Sequence, residues 1–286
     1  MVRLTVIFRR NKPLSAINVW AFEAYNACYM KKKTPGRRAK PAHKAATGRK
    51  TGAAALKSKK GPVRARRAAG RATVSRDLPP DGIYPYDRGR HGDLVWHLAQ
   101  FDRLLKKYTP EDQEVLKKAL AFARERHEKQ VRKDGSPFII HPVRIASVIS
   151  TEWSVRETPI VAAGLLHDVI EDTQTTIREV KDAFGDEISK LVDGMTMWPG
   201  SETPEVYLKR VARGPRQLRI IKCADVLDNL RSWPECEDDV PDRFSRWWRQ
   251  AHDYALPMAE ETMDVAAKRI REIVEDEWYL RKAHMI

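Results

Sequence analysis

From about Leu94 onward, apolar positions recur three or four residues apart, the period of a helix face turned toward a core. Thr109-Pro110-Glu111-Asp112 predicts a helix start: a capping hydroxyl, a proline in the first turn, and acids at the positive end of the dipole. Val115, Ala119 and Phe122, with Leu116 and Leu120 beside them, carry the apolar face of this helix, and Gly135 marks its limit. The same period predicts further helices at about 141–152, 158–172, 176–184, 186–196, 204–212, 216–232, 242–256 and 258–280. No alternating stretch of useful length predicts a strand, and no internal repeat is present, so the expected fold class is all-α.

Upstream the pattern fails. Residues 1–29 hold a few apolar and aromatic positions, enough only for a local helix from about Ala16 to Met30. Residues 31–76 are dominated by Lys, Arg, Ala, Gly and Pro, with almost nothing to bury, and such a segment cannot offset the entropy of ordering. We therefore expect residues 1–78 to form a disordered basic tail. Pro79, Pro80, Gly82, Pro85, Gly89 and Gly92 make 79–93 a linker, leaving 94–286 as the folded domain.

Charge sharpens that division. The chain of 286 residues carries a formal +14. Residues 1–76 contain 21 Lys or Arg and one acid, Glu23, while the remainder holds 32 basic and 38 acidic residues. Clusters such as KKK, GRR and RARR would attract phosphate backbones in a salt-dependent, sequence-independent way, making nonspecific nucleic acid a candidate partner of the tail. Cys28, Cys223 and Cys236 show no ligand-pair spacing, which excludes a zinc ribbon or disulfide framework and fits a reducing cytoplasm. No apolar run reaches the roughly 18 residues of a membrane span, so no membrane partner is expected. Trp247, Trp248 and Tyr254 read as packing, and His97 and His252 as surface residues.

Chemistry concentrates in Leu165-Leu166-His167-Asp168-Val169-Ile170-Glu171-Asp172-Thr173. Thr158-Pro159 opens an apolar run that leads into it. If one helix continues through Asp172, Glu171 follows His167 by four residues and Asp168 by three, so these groups share a face. An imidazole beside a carboxylate suits a divalent first-row metal, and two further acids can hold and deprotonate a water. Two other stretches carry similar chemistry. His141-Pro142 stands at a helix entrance just after the basic loop Arg132-Lys133-Asp134-Gly135. In Ile220–Leu230, polar Lys222, Asp225 and Asn229 line one face of an apolar helix, where a metal would give Asp225 a partner. Gly194-Met195-Thr196 closes a further apolar helix.

His141-Pro142, His167-Asp168 with Glu171-Asp172-Thr173, and Lys222-Cys223-Ala224-Asp225 with Asn229 resemble the ordered signature of HD-domain phosphohydrolases. The basic stretch from His127 through Gln130, Arg132-Lys133, Gly135, Pro137-Phe138 and His141-Pro142 narrows the likeness to the hydrolase domain of RelA/SpoT-type alarmone enzymes. Phe184-Gly185-Asp186-Glu187-Ile188 and Leu191–Thr196 add to it, and the likeness covers about residues 110–270.

The resemblance implies an HD-domain helical bundle of a small, hydrolase-only form. It implies His141, His167, Asp168 and Asp225 as ligands of one manganese ion, and Glu171 and Asp172 as the pair that activates water. Arg132, Lys133, Thr196, Lys222, Asn229 and Arg231 would bind substrate. The implied reaction is hydrolysis of the 3′-pyrophosphate of guanosine tetra- or pentaphosphate to GDP or GTP and pyrophosphate. Three positions depart from the family's pattern: Lys129 replaces a glycine, and Cys223 and Val226 replace a leucine and a basic residue. Two other readings therefore stand beside it: an HD phosphohydrolase acting on another nucleotide such as NADPH, and a nucleic-acid-binding protein with an inactive HD module. Sequence says nothing of the oligomeric state.

Overall fold

A computed structural model describes residues 88–198, 200–236 and 242–286. The expected basic tail and most of the expected linker lie outside the described residues. Those described form helices and turns with no strand, only an isolated antiparallel bridge between Val131 and Pro137. None of their helices is long and apolar enough to cross a membrane.

At the centre lies α4, Thr158–Leu166, in which every residue from Ile160 to Leu166 is buried. A helix apolar on all sides must be enclosed by others, and α2 (Pro110–Arg126), α3 (Ile140–Ser147), α6 (Ile177–Met195) and α8 (Arg216–Ser232) surround it. Gly164 permits the approach of α3: a Cβ there would stand 3.1 Å from Ile149 Cδ1 and 3.2 Å from Ile145 Cγ2. α1, Leu94–Leu105, packs on α3 from outside, and α7, Pro204–Ala212, on α8.

Local chemistry accounts for most helix starts. Thr109 caps α2 through the Asp112 amide, with Pro110 in the first turn, as the sequence predicts. Thr176 and Glu179 form a reciprocal capping box on α6. The two helices expected at 176–184 and 186–196 meet within α6 at non-helical Gly185, whose φ of 82° only glycine adopts without strain.

Four expectations are corrected. The helix expected over 141–152 ends as a π-helix, Val148–Glu152, after α3. The helix expected over 158–172 stops at Leu166 and resumes as the short α5, Val169–Asp172, with His167 and Asp168 at the junction. That expected over 258–280 divides into Leu256–Glu260, Asp264–Val274 and Glu277–Lys282, because extended Met263 and Asp276 interrupt it. Finally, His97 is not a surface residue: it is buried, with Nε2 3.1 Å from the Arg90 carbonyl. His91 is buried too, and its carbonyl accepts from Arg144 Nη1 at 2.9 Å, so the folded unit begins before Leu94.

Candidate active site

The junction between α4 and α5 meets the entrance of α3 and the middle of α8 at one point. His141 stands in the first turn of α3, where Pro142 can follow because the first helical turn needs no amide donor. Its Nε2 lies 3.3 Å from Asp225 Oδ1 and 3.8 Å from Asp168 Oδ2. His167 Nε2 lies 3.0 Å from Asp168 Oδ2 and 3.9 Å from Asp225 Oδ1. Side chains of adjacent residues diverge by about 100° on a regular helix. His167 and Asp168 stand at the junction after Leu166, both with right-handed helical dihedrals, and their Nε2 and Oδ2 atoms come within 3.0 Å.

Both rings are held in one tautomer. His141 Nδ1 donates to Asp228 Oδ2 at 2.6 Å, and His167 Nδ1 to the Gly164 carbonyl at 2.9 Å. Each therefore turns an Nε2 lone pair toward the two carboxylates. His167 Nε2 is buried, with Asp168 Oδ2 3.0 Å away.

Two lone pairs and two carboxylate oxygens gathered in a buried place repel one another unless a cation sits among them. Neighbouring ligands of a cation bonded at about 2.1 Å stand about 3 Å apart, and opposite ones about 4 Å; the four separations fall in that range. Among the described residues, His141, His167 and Asp168 form a group whose ligand atoms all lie within 4.8 Å of one another. The donor set fits a divalent first-row metal. In the bare protein a proton takes that part: burial alone would lower the His167 pKa, but Asp168 and Asp225 push it up to about 9. Asp168 is held below the usual carboxylate range: burial opposes this, and His167 outweighs it.

Asp225 is braced on both oxygens, by Lys222 Nζ at 2.8 Å and Asn229 Nδ2 at 2.7 Å, from the preceding and following turns of α8. Lys222 is half-buried, and although desolvation would lower its pKa, the Asp225 carboxylate raises it and keeps it charged. Arg132 Nη2 reaches Asn229 Oδ1 at 3.2 Å, which ties the basic loop to the same helix.

Glu171 and Asp172 close the other side. Glu171 Oε2 accepts from the Met197 amide at 2.9 Å, while burial and the Asp168 charge push its pKa up to about 7. The Asp172 carbonyl accepts from Gln130 Nε2 at 2.6 Å, and Gln130 Oε1 is in turn 2.8 Å from His127 Nδ1. A carboxyl group that titrates near neutrality beside a cation-binding cluster is suited to taking and returning a proton.

Three of the residues expected at the site sit differently. The Thr196 hydroxyl donates to the Val192 carbonyl, so this segment meets the acid pair through the Met197 amide instead. Lys133 Nζ rests 5.2 Å above the Trp247 ring, away from the ligand cluster. Arg231 is a correction: it is fully buried, and both terminal nitrogens hold Glu152 at 2.8 and 2.9 Å, so it does not line the site. The expectation also passed over Asp228, Arg144 and Gln130. Arg144 binds Asp228 through Nε at 2.7 Å and Nη2 at 2.9 Å, fixing the carboxylate that fixes His141. The available signal was an arginine inside the apolar run after His141, which required a buried acid opposite it.

Residues 119–250 match the family model described as HD domain. The guanosine-3′,5′-bis(diphosphate) 3′-pyrophosphohydrolase MESH1 of Danio rerio is 35% identical over 127 residues, covering 43% of this chain and 71% of the relative. The chain belongs to the HD-domain MESH1/SpoT family. A guanosine-3′,5′-bis(diphosphate) 3′-pyrophosphohydrolase of Aquifex aeolicus is likewise 35% identical, over 173 residues. The match spans 58% of this chain but only 22% of that longer protein. A solved metazoan ortholog of SpoT, described as hydrolysing ppGpp, covers 63% of this chain and 98% of its own at 24% identity, with a TM-score of 0.53. That likeness places this MESH1/SpoT family member in the same fold.

Proposed function

We propose that the chain hydrolyses the 3′-pyrophosphate of guanosine tetra- or pentaphosphate, with manganese held by His141, His167, Asp168 and Asp225. The observation that carries the reading is the convergence of two buried imidazole nitrogens and two carboxylates beside a glutamate that titrates near pH 7. The names of the relatives support the choice of nucleotide.

When bound, the cation supplies Lewis acidity toward the phosphoryl oxygens and the attacking water. Glu171 accepts a proton from that water, and Asp172, held through its backbone by Gln130, orients it. Arg132 and Lys133 on the basic loop bind the phosphates, the guanidinium in fork geometry and the ammonium as a point charge. For that, Lys133 leaves the Trp247 face. Lys222 and Asn229 keep Asp225 aimed at the cation while facing the nucleotide pocket. The bond between phosphorus and the 3′-oxygen breaks, releasing pyrophosphate and GDP or GTP.

The test is a product assay on guanosine and nicotinamide nucleotides, with manganese added after chelation. Pyrophosphate from guanosine tetraphosphate is the expected product. Orthophosphate from NADPH with no guanosine turnover would move the reading to another nucleotide. Asp168→Ala should lose metal and turnover together, whereas Asp172→Asn should keep the metal and lose turnover by about 100-fold or more.

A further inference from the structure

Further along α3 from His141, a cleft of about 550 Å³ opens between α1 and the π-helix Val148–Glu152. That volume lies in the range of small-molecule sites. Trp96, Leu104 and Val148 supply apolar walls, and Arg103 and Lys107 stand exposed at its rim. Among the described residues neither rim cation meets a carboxylate; Arg103 reaches only Gln100 Oε1, at 3.3 Å. Glu152, the acid in the lining, is already neutralised by Arg231, with Arg269 Nε at 3.1 Å. The cleft therefore presents flat apolar surface under uncompensated positive charge.

Its inner wall is Arg144, the residue that clamps Asp228 and through it the His141 ring. Its acidic wall, Glu152, grips Arg231 on α8, the helix that carries Asp225, Asp228 and Asn229. Both polar walls thus lead to the metal ligands. The π-helix is the second observation: such irregular turns persist at functional sites more often than in plain scaffold, and this one contributes Val148, Thr151 and Glu152 to the cleft.

We infer that the cleft is a regulatory site for a planar aromatic monoanion, and that its occupancy is coupled to the cation site through Arg144, Asp228 and His141. The aromatic body lies between Trp96 and Val148, and the anionic group meets Arg103 and Lys107. The seated body presses on the Arg144 wall and shifts the guanidinium from Asp228, which loosens the hold on His141 and weakens the cation.

The test uses the full chain with 8-anilinonaphthalene-1-sulfonate, which has this chemistry, followed by its own fluorescence. Saturable binding of one molecule per chain is expected, weakened at least fivefold by Arg103→Glu/Lys107→Glu and separately by Trp96→Ala. At saturating manganese, added pyrophosphate should displace no more probe than manganese alone does. Manganese affinity, read by calorimetry, should fall at least twofold when the probe is saturating, and probe affinity should fall by the same factor when manganese is. Probe binding within twofold of the parent in both variants, or displacement by pyrophosphate beyond that by manganese alone, overturns the site. Unchanged manganese affinity with the probe bound overturns the coupling. The binding arm stands apart from the function proposed above, so failure of either is distinguishable from failure of the other.

Discussion

Asp228 shows what a residue can do that its motif did not announce. The histidines proposed as ligands stood out because each sits beside a chemical marker, Pro142 or Asp168, whereas Asp228 lies three residues past Asp225 between Leu227 and Asn229. Its role appears only when Arg144, 84 positions earlier, is seen to reach it. Asp228→Ala should remove the partner of a buried guanidinium at a cost of about 3 to 5 kcal/mol, measured by chemical denaturation. It should also weaken metal binding by about 10- to 100-fold, the usual effect of losing a ligand's outer support. Glu171 sets a pH expectation of its own. As the proposed base it must be ionised, so turnover should fall as pH drops through about 7, with a bound cation moving that limb to lower pH. A pH–rate profile checks this. A limb that persists unchanged in the residual activity of Glu171→Gln would assign the titration to another group.

At the scale of elements, the starts of helices were more legible than their interruptions. A capping threonine and proline mark α2 in the sequence itself, and it begins where those residues predict; α7, expected at 204–212 from its period, proves to be capped by Thr203. The break between α4 and α5 carries no such residue. His167 and Asp168 both keep right-handed helical dihedrals there, with no side-chain cap at Asp168, so local periodicity does not record the junction. Gly185 lies between these cases: it is visible in sequence as a divider, and in the fold as a kink at φ 82° with open space around its missing Cβ. Gly185→Ala should therefore destabilise through backbone strain alone, by about 1 to 2 kcal/mol. Thermal unfolding should show a Tm lowered by a few degrees without change in metal stoichiometry. An unchanged Tm would mean that the kink relaxes freely.

For the whole folded unit, the all-α class and the apolar core around α4 were legible, because an uninterrupted run such as Ile160–Leu166 has no stable place but the middle of a bundle. The upstream boundary was less so, since a Gly- and His-containing stretch gives no sign that His91 and His97 are buried. Their burial has a consequence for stability. Desolvation, aided by the Arg144 charge, lowers the His91 pKa to about 3 and the His97 pKa to about 4, from 6.5. The unfolded chain then binds protons that the native one refuses, so stability present above pH 6.5 is lost as pH falls toward those values. At pH 5 each histidine should cost about 2 kcal/mol. Denaturation followed between pH 7.5 and 5 should show this fall, and His97→Gln should flatten it. A slope identical in the variant would assign the loss to other groups.

The central claim is that four side chains from three separate segments hold a single cation. The most direct measurement is pulsed electron paramagnetic resonance on the full chain loaded with one equivalent of manganese, which counts the histidine nitrogens coupled to the ion. Two couplings are expected, falling to one in His141→Ala and in His167→Ala and disappearing with the bound signal in Asp168→Ala. Manganese that binds with no nitrogen coupling, or with couplings indifferent to both histidine substitutions, would contradict it.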